Sequence, residues 1–275
     1  MRVLERKELY AGSSESRISF LTQGGGAWPV WDRYLSVDGK RAYHLGNICQ
    51  TCQFLFQRLE GANTSVQIDG TAEALKVGVA ALSDLVVEQV GAGLPEGDYI
   101  ATLADITLER TRPGEQNDYF VKEQIALYGT DSFWDLPHDP RVPYYRAGRR
   151  TISNASALFQ FVVPMFPESW LKPEVIAAYT SELDEGKHPT AVAISLLDVK
   201  GPADRGEEGN SVHEHWALTH FLIDGHHKAA AARRKGTRLR LLSYIALKEG
   251  ISERAQVDTA LASFEHLSDI EAVSN

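Results

Sequence analysis

The strongest constraint on the fold of this chain is the passage at residues 221–236, Phe-Leu-Ile-Asp-Gly-His-His-Lys-Ala-Ala-Ala-Ala-Arg-Arg-Lys-Gly. An apolar strand stops at Asp224-Gly225, an alanine-rich helix follows, and Gly236 closes it. The first N–H groups of a helix have no partner within it, and the helix dipole adds partial positive charge at the same end. A strand that delivers the chain to such a turn builds a place for an anion, which points to phosphate or nucleotide handling.

The last third of the chain surrounds this passage with regular elements. The pattern predicts a strand near 157–164 and a helix from Pro173, with Val175, Ile176, Tyr179 and Leu183 on its apolar face and Gly186 as its stop. A strand at 191–199, a polar loop, a second strand ending at Ile223, the helix at 226–235 and a strand at 237–247 complete it. The last two strands, straddling a helix, read as a βαβ unit. Upstream, Leu75, Val79, Leu82, Val86 and Val90 recur at helical spacing and predict one helix over 71–90. A strand is expected near 98–109. Residues 1–65 hold Gly24-Gly25-Gly26 and scattered aromatics and are expected to wrap the core as loops and short strands, with the glycines as a hinge. Residues 111–156, with Phe133-Trp134, Pro137-His138-Asp139-Pro140 and Pro143-Tyr144-Tyr145, read as a packed loop that either forms a pocket wall or anchors itself. The expected fold is α+β, with a covering region at 1–156 and a phosphate-handling region at 157–275.

The net charge of −9 argues against broad attraction to nucleic acid. The basic run Arg233, Arg234, Lys235, Arg238 and Arg240 reads as a solvated helix end that complements the dipole. No apolar run approaches the length of a membrane span, and Met1-Arg2-Val3-Leu4-Glu5 does not open a secretory signal. With two cysteines in 275 residues, a secreted disulfide scaffold is not expected, and the reading is cytoplasmic.

Within the turn, Gly225 lets the backbone approach a phosphate without a Cβ in the way. His226, His227 and Lys228 are donors to phosphate oxygens, with lysine a point charge. Asp224 is a candidate to orient a histidine, hold Mg²⁺ or take a proton from an attacking hydroxyl; as a plain helix cap it would do none of these. Five of the nine histidines, His213, His215, His220, His226 and His227, lie within 15 residues. On an extended strand His213 and His215 share one face, as candidate ligands of zinc or another transition metal, while His220 and Asp224 share the other. Cys49 and Cys52 offer two thiolates to a zinc site completed by His44 or the histidine cluster; alternatively they are two half-buried thiols, or a redox pair. Acidic residues Asp198, Asp204, Glu207, Glu208 and Glu214 are further candidates for a base. No P-loop and no nucleophile elbow occurs.

The Asp224-Gly225-His226-His227-Lys228 turn resembles the ParB/sulfiredoxin superfamily, whose members use the helix after such a turn to hold nucleotide phosphates. It is most similar to the free serine kinases, whose turn reads Asp-Gly-His-His-Arg, with Lys228 standing where they have arginine. Sulfiredoxins have a catalytic cysteine where this chain has His226, so sulfinic acid reduction is not implied. ParB has Gly-Glu-Arg-Arg, of which only Gly225 is kept. The resemblance spans residues 190–248; the rest of the chain is similar to uncharacterised bacterial proteins with a like His-His-Lys turn. It implies a ParB/sulfiredoxin-like C-terminal unit with a mixed sheet that binds a nucleotide (ATP, ADP or CTP) with Mg²⁺. Asp224 and His226 would be catalytic, and Gly225, His226, His227 and Lys228 would hold the cofactor. Two functions stand side by side: a phosphotransferase acting on a small metabolite, and a non-enzymatic sensor of nucleotide or metal.

Overall fold

A computed structural model describes residues 1–130, 140–203 and 213–265. In chain order its strands and α-helices are β1 (Arg2–Ala11), β2 (Ile18–Gly25), β3 (Trp28–Val37), β4 (Lys40–Asn47), β5 (Gln57–Arg58), α1 (Ala72–Val77), α2 (Leu85–Ala92), β6 (Gly97–Ile106), β7 (Glu109–Thr111) and α3 (Glu123–Tyr128). There follow β8 (Tyr144–Ser153), β9 (Ser156–Pro164), α4 (Pro173–Asp184), β10 (Thr190–Lys200), β11 (Glu214–Asp224), α5 (His226–Lys235), β12 (Leu239–Ala246) and α6 (Arg254–Glu265). The fold is α+β. Eight strands form one mixed sheet in the order β1-β6-β12-β10-β11-β9-β8-β7, and β2-β3-β4-β5 form a second, antiparallel sheet. In the large sheet β10 and β12 are parallel, as are β9 and β11; the other pairs are antiparallel. Strands from both sides of position 156 therefore share one sheet.

Period-2 alternation sends each central strand to two different cores. From β10, Val192, Ile194 and Leu196 join Leu35, Tyr43 and Leu45 of the small sheet and Leu75, Val86 and Val90 of the neighbouring helices. Ala191 and Ala193 meet Ala229 and Ala232 of α5 on the opposite face, and Leu197 and Val199 meet Leu261 and Phe264 of α6. The buried alanines explain why the α5 sequence is so poor in large apolar residues: small side chains let the helix lie close on the sheet.

Three expectations change in full and a fourth in part, since the expected packed loop at 111–156 contains α3 and the ten-residue strand β8. Residues 1–65 are mainly long antiparallel strands, and Gly24-Gly25-Gly26 is the end of the β2–β3 hairpin, with Gly26 at φ +58°. Strand β1 lies at the sheet edge and is mostly exposed, so its charged residues hide the alternation. The single helix at 71–90 is two short ones. Gly78 sits at φ +118°, where a Cβ would lie 2.4 Å from the His188 carbonyl oxygen. Past it, Val79 N–H donates to Thr190 Oγ1 at 2.9 Å and the Asp84 carboxylate accepts from Ala80 and Ala81 N–H, so the helix cannot run on. All five apolar residues of the pattern are buried all the same.

The third change is the βαβ reading. β11 and β12 are antiparallel to each other, on either side of β10. Ten helical residues rise about 15 Å, too little to run back along an eleven-residue strand of about 36 Å. Helix α5 thus returns the chain to the end of the sheet it left: Asp224 pairs with Val192, and Arg240 with Thr190.

Candidate anion-binding cavity at the Asp224–Lys228 turn

Strand β11 ends at Asp224, and Gly225 takes the left-handed conformation, φ 93° and ψ 22°, that turns the chain into α5. A Cβ there would lie 2.5 Å from Ala191 Cβ, so conformation and space both demand glycine. The next three side chains turn inward. His226 stacks on Phe166 with ring centres 4.1 Å apart and planes 8° from parallel. Its Nε2 accepts the Met165 N–H at 2.9 Å, which leaves the ring proton on Nδ1. Burial pushes its pKa down to about 3. His227 accepts the Lys172 N–H on Nε2 at 3.1 Å, and burial lowers its pKa too. The two neutral rings clip the chain between β9 and α4 onto the turn.

Lys228 is 4% exposed. Its Nζ donates to the Thr190 carbonyl at 2.9 Å and to Asp224 Oδ2 at 2.8 Å, and lies over the Tyr179 ring. Asp224 is half-exposed and held in that ion pair.

Beside the turn a cavity of about 240 Å³ is lined by Leu222, His226, Phe166, Tyr144 and Tyr145, by two arginines, Arg58 and Arg110, and by one carboxylate, Glu168. The aromatic run at 143–145 thus forms a wall of it, though from the start of β8. Arg58 is fixed by donating from Nε to the Met165 carbonyl at 2.9 Å and from Nη2 to Asn63 Oδ1 at 2.6 Å. Arg110 Nη2 lies 2.5 Å from Glu168 Oε1. That contact is close but misaligned, so the buried Nη2 makes no directed hydrogen bond. Glu168 lines the same cavity and already balances the Arg110 charge, so an anion entering there would compete with that carboxylate for the guanidinium. Strand β5, strand β7 and the turn before α5 converge here from positions far apart in sequence, and no local motif announces either arginine.

The other candidates lie elsewhere. Cys49 and Cys52 are joined as a disulfide, so in this state neither offers a thiolate. His213 lines a separate cleft of about 800 Å³ with Glu214, Lys248 and Glu249. His215 is buried, its Nδ1 2.8 Å from the Tyr119 hydroxyl. His44 pairs with Asp32 at 3.0 Å. His220 lies under the helices in a buried polar row: Gln160 Nε2 donates to its Nε2 at 2.8 Å, and its Nδ1 meets Ser195 Oγ at 2.8 Å and Ser243 Oγ at 3.1 Å. Among the described residues no three His, Cys, Asp or Glu side chains gather as a metal requires. Asp198 is buried in a two-pronged ion pair with Arg33, and Glu214 accepts from Trp216 and Ser156. In the basic run, Lys235 pairs with Asp184 and Arg240 with Asp105. Asp204, Glu207, Glu208, Phe133, Trp134 and the 137–139 segment lie outside the described residues. No family model, curated protein or solved structure matches the chain.

Proposed function

We propose that this protein binds a small phosphorylated ligand of the nucleotide class, with its anionic group between Arg58 and Arg110 and its flat or apolar part against Tyr145, Phe166 and His226. The observation that carries this is the convergence of two cationic side chains, Arg58 and Arg110, on the wall of an otherwise mostly apolar cavity, with Glu168 as the carboxylate that an incoming anion would displace from Arg110. At about 240 Å³ the cavity is below the roughly 300–1,000 Å³ typical of ligand sites, so a whole nucleotide would project beyond it. In this reading β10, β11, α5 and β12 are the ParB/sulfiredoxin-like unit, supported by the strand, left-handed glycine and helix at Ile223–Lys235.

Binding is favoured over phosphoryl transfer by the state of Asp224. Its Oδ2 accepts from the Lys228 amine at 2.8 Å, so taking a proton from a substrate hydroxyl would first require breaking that pair. No catalytic step is assigned to the turn.

The test is calorimetric titration with inorganic phosphate, AMP, ATP, CTP and phosphoserine. At least one phosphorylated compound is expected to bind saturably, and Arg110→Gln to weaken it tenfold or more, as loss of a charge-assisted hydrogen bond of about 1.5–3 kcal/mol implies. Absence of binding to every compound, or binding unchanged in both Arg110→Gln and Arg58→Gln, would refute the reading.

A further inference from the structure

Lys200 ends β10 on the face turned toward the small sheet, and it is 1% exposed. No carboxylate lies within ion-pair distance of it among the described residues. The nearest on its own strand face, Asp198, is taken by both Nη groups of Arg33 and by the Ile251 N–H at 2.8 Å. Among the described residues the Lys200 amine makes two long hydrogen bonds, to the carbonyls of Asn47 at 3.3 Å and Gln53 at 3.5 Å. Those two carbonyls flank Cys49 and Cys52. The loop they belong to is laid on the strand end by the Gly201 N–H bond to the Gln50 carbonyl, 3.1 Å. Beneath it, both polar side-chain atoms of Gln53 and the Nε of Arg33 are buried without partners. The half-buried cysteines are themselves within reach of solvent, and Gln50, Thr51 and Gly201 line the 800 Å³ cleft next door.

We propose that the Cys49–Cys52 disulfide is a redox latch over Lys200, and that its reduction opens the lysine amine to the adjoining cleft as a site for an electrophilic carbonyl compound. A dithiol performs the opening by exchange: the Cys49–Cys52 bond breaks, two thiols remain, and the dithiol leaves as its own disulfide. Freed from the latch, residues 47–53 no longer hold their carbonyls over the amine. The neutral amine then attacks a carbonyl carbon. With an active ester the new C–N bond forms, the ester C–O bond breaks, and the alcohol fragment leaves with the amine proton. In the closed state burial pushes Lys200 down to about 8; opening relieves that burial, so the neutral fraction that reacts in the open state is set by the pH of the assay.

Labelling with the N-hydroxysuccinimide ester of acetic acid, read by peptide mass spectrometry, tests this on the intact protein. The entropy of closing so small a loop corresponds to roughly a twentyfold change in the opening equilibrium. Lys200 is expected to acetylate faster by about that factor in dithiothreitol, and in the Cys49→Ser/Cys52→Ser variant without reductant. Lys228, buried at the other end of β10, serves as the control and should stay slow. Equal labelling of Lys200 with the disulfide closed and open would overturn the proposal. Simultaneous acceleration of Lys228 would overturn it as well, since the disulfide would then be holding the whole fold together.

Discussion

Replacing Gly225 by alanine separates two demands that the site makes on one residue. Gly225 and Gly236 bound the same helix, and both are left-handed, at φ 93° and 70°. An L-residue in that conformation costs about 1–2 kcal/mol, and both substitutions incur it. They differ in space. A Cβ at Gly236 meets nothing within 4 Å, whereas one at Gly225 falls 2.5 Å from Ala191 Cβ and 2.7 Å from its Cα. Backbone must move to relieve that overlap, at a further cost of about 1–3 kcal/mol. Effects on the unfolded chain are common to both and cancel. With an unfolding entropy of about 2.1 cal/mol/K per residue, Gly236→Ala should lower Tm by about 2–3 °C and Gly225→Ala by about 4–9 °C. Circular dichroism melts at one pH and one protein concentration decide it. Equal losses for the two variants would mean that α5 does not press on β10 at Ala191, and the tight turn at the cavity would be wrong.

Three buried histidines set an acid limit. Burial pushes His215, His220 and His226 each to about 3. The unfolded chain takes up their protons near pH 6.5 while the folded chain refuses them, so their stabilising share is complete above 6.5 and is lost as pH falls from there toward 3. Urea unfolding should show a loss of about 3 kcal/mol between pH 6.5 and 5.5, shrinking by about a third in His226→Gln; a flat profile would contradict the neutral clips. Asp198→Asn should cost about 3–5 kcal/mol by leaving the buried Arg33 guanidinium without its counter-charge, and an unchanged urea midpoint would show the pair to be idle.

The elements around the turn were legible because their signals are local. Asp224-Gly225 ended a strand, Pro173 opened a helix, and Gly186 and Gly236 closed two, all within a residue or two of the structure. The break at Gly78 was not legible, because Leu75, Val79, Leu82, Val86 and Val90 meet the same core whether one helix carries them or two. What divides them is the carbonyl of His188, 110 residues away. The turn itself was found, but its side chains face inward: Lys228, read as a free cation, spends its protons on Asp224 and Thr190. The arginines that face the cavity come from β5 and β7, short strands whose composition says nothing of what they point at.

The strand order also sets a timetable for synthesis. Strand β6 pairs early with β1, but its other edge belongs to β12, which begins 133 residues after β6 ends. At 5–20 residues per second, a ribosome leaves that edge waiting for roughly 7–27 s. Its middle, Tyr99 to Leu103, is buried only once the sheet is complete. Until then it is an open template for any strand that passes, so the nascent chain is at its most vulnerable to mispairing after β6 has emerged and before β12 has.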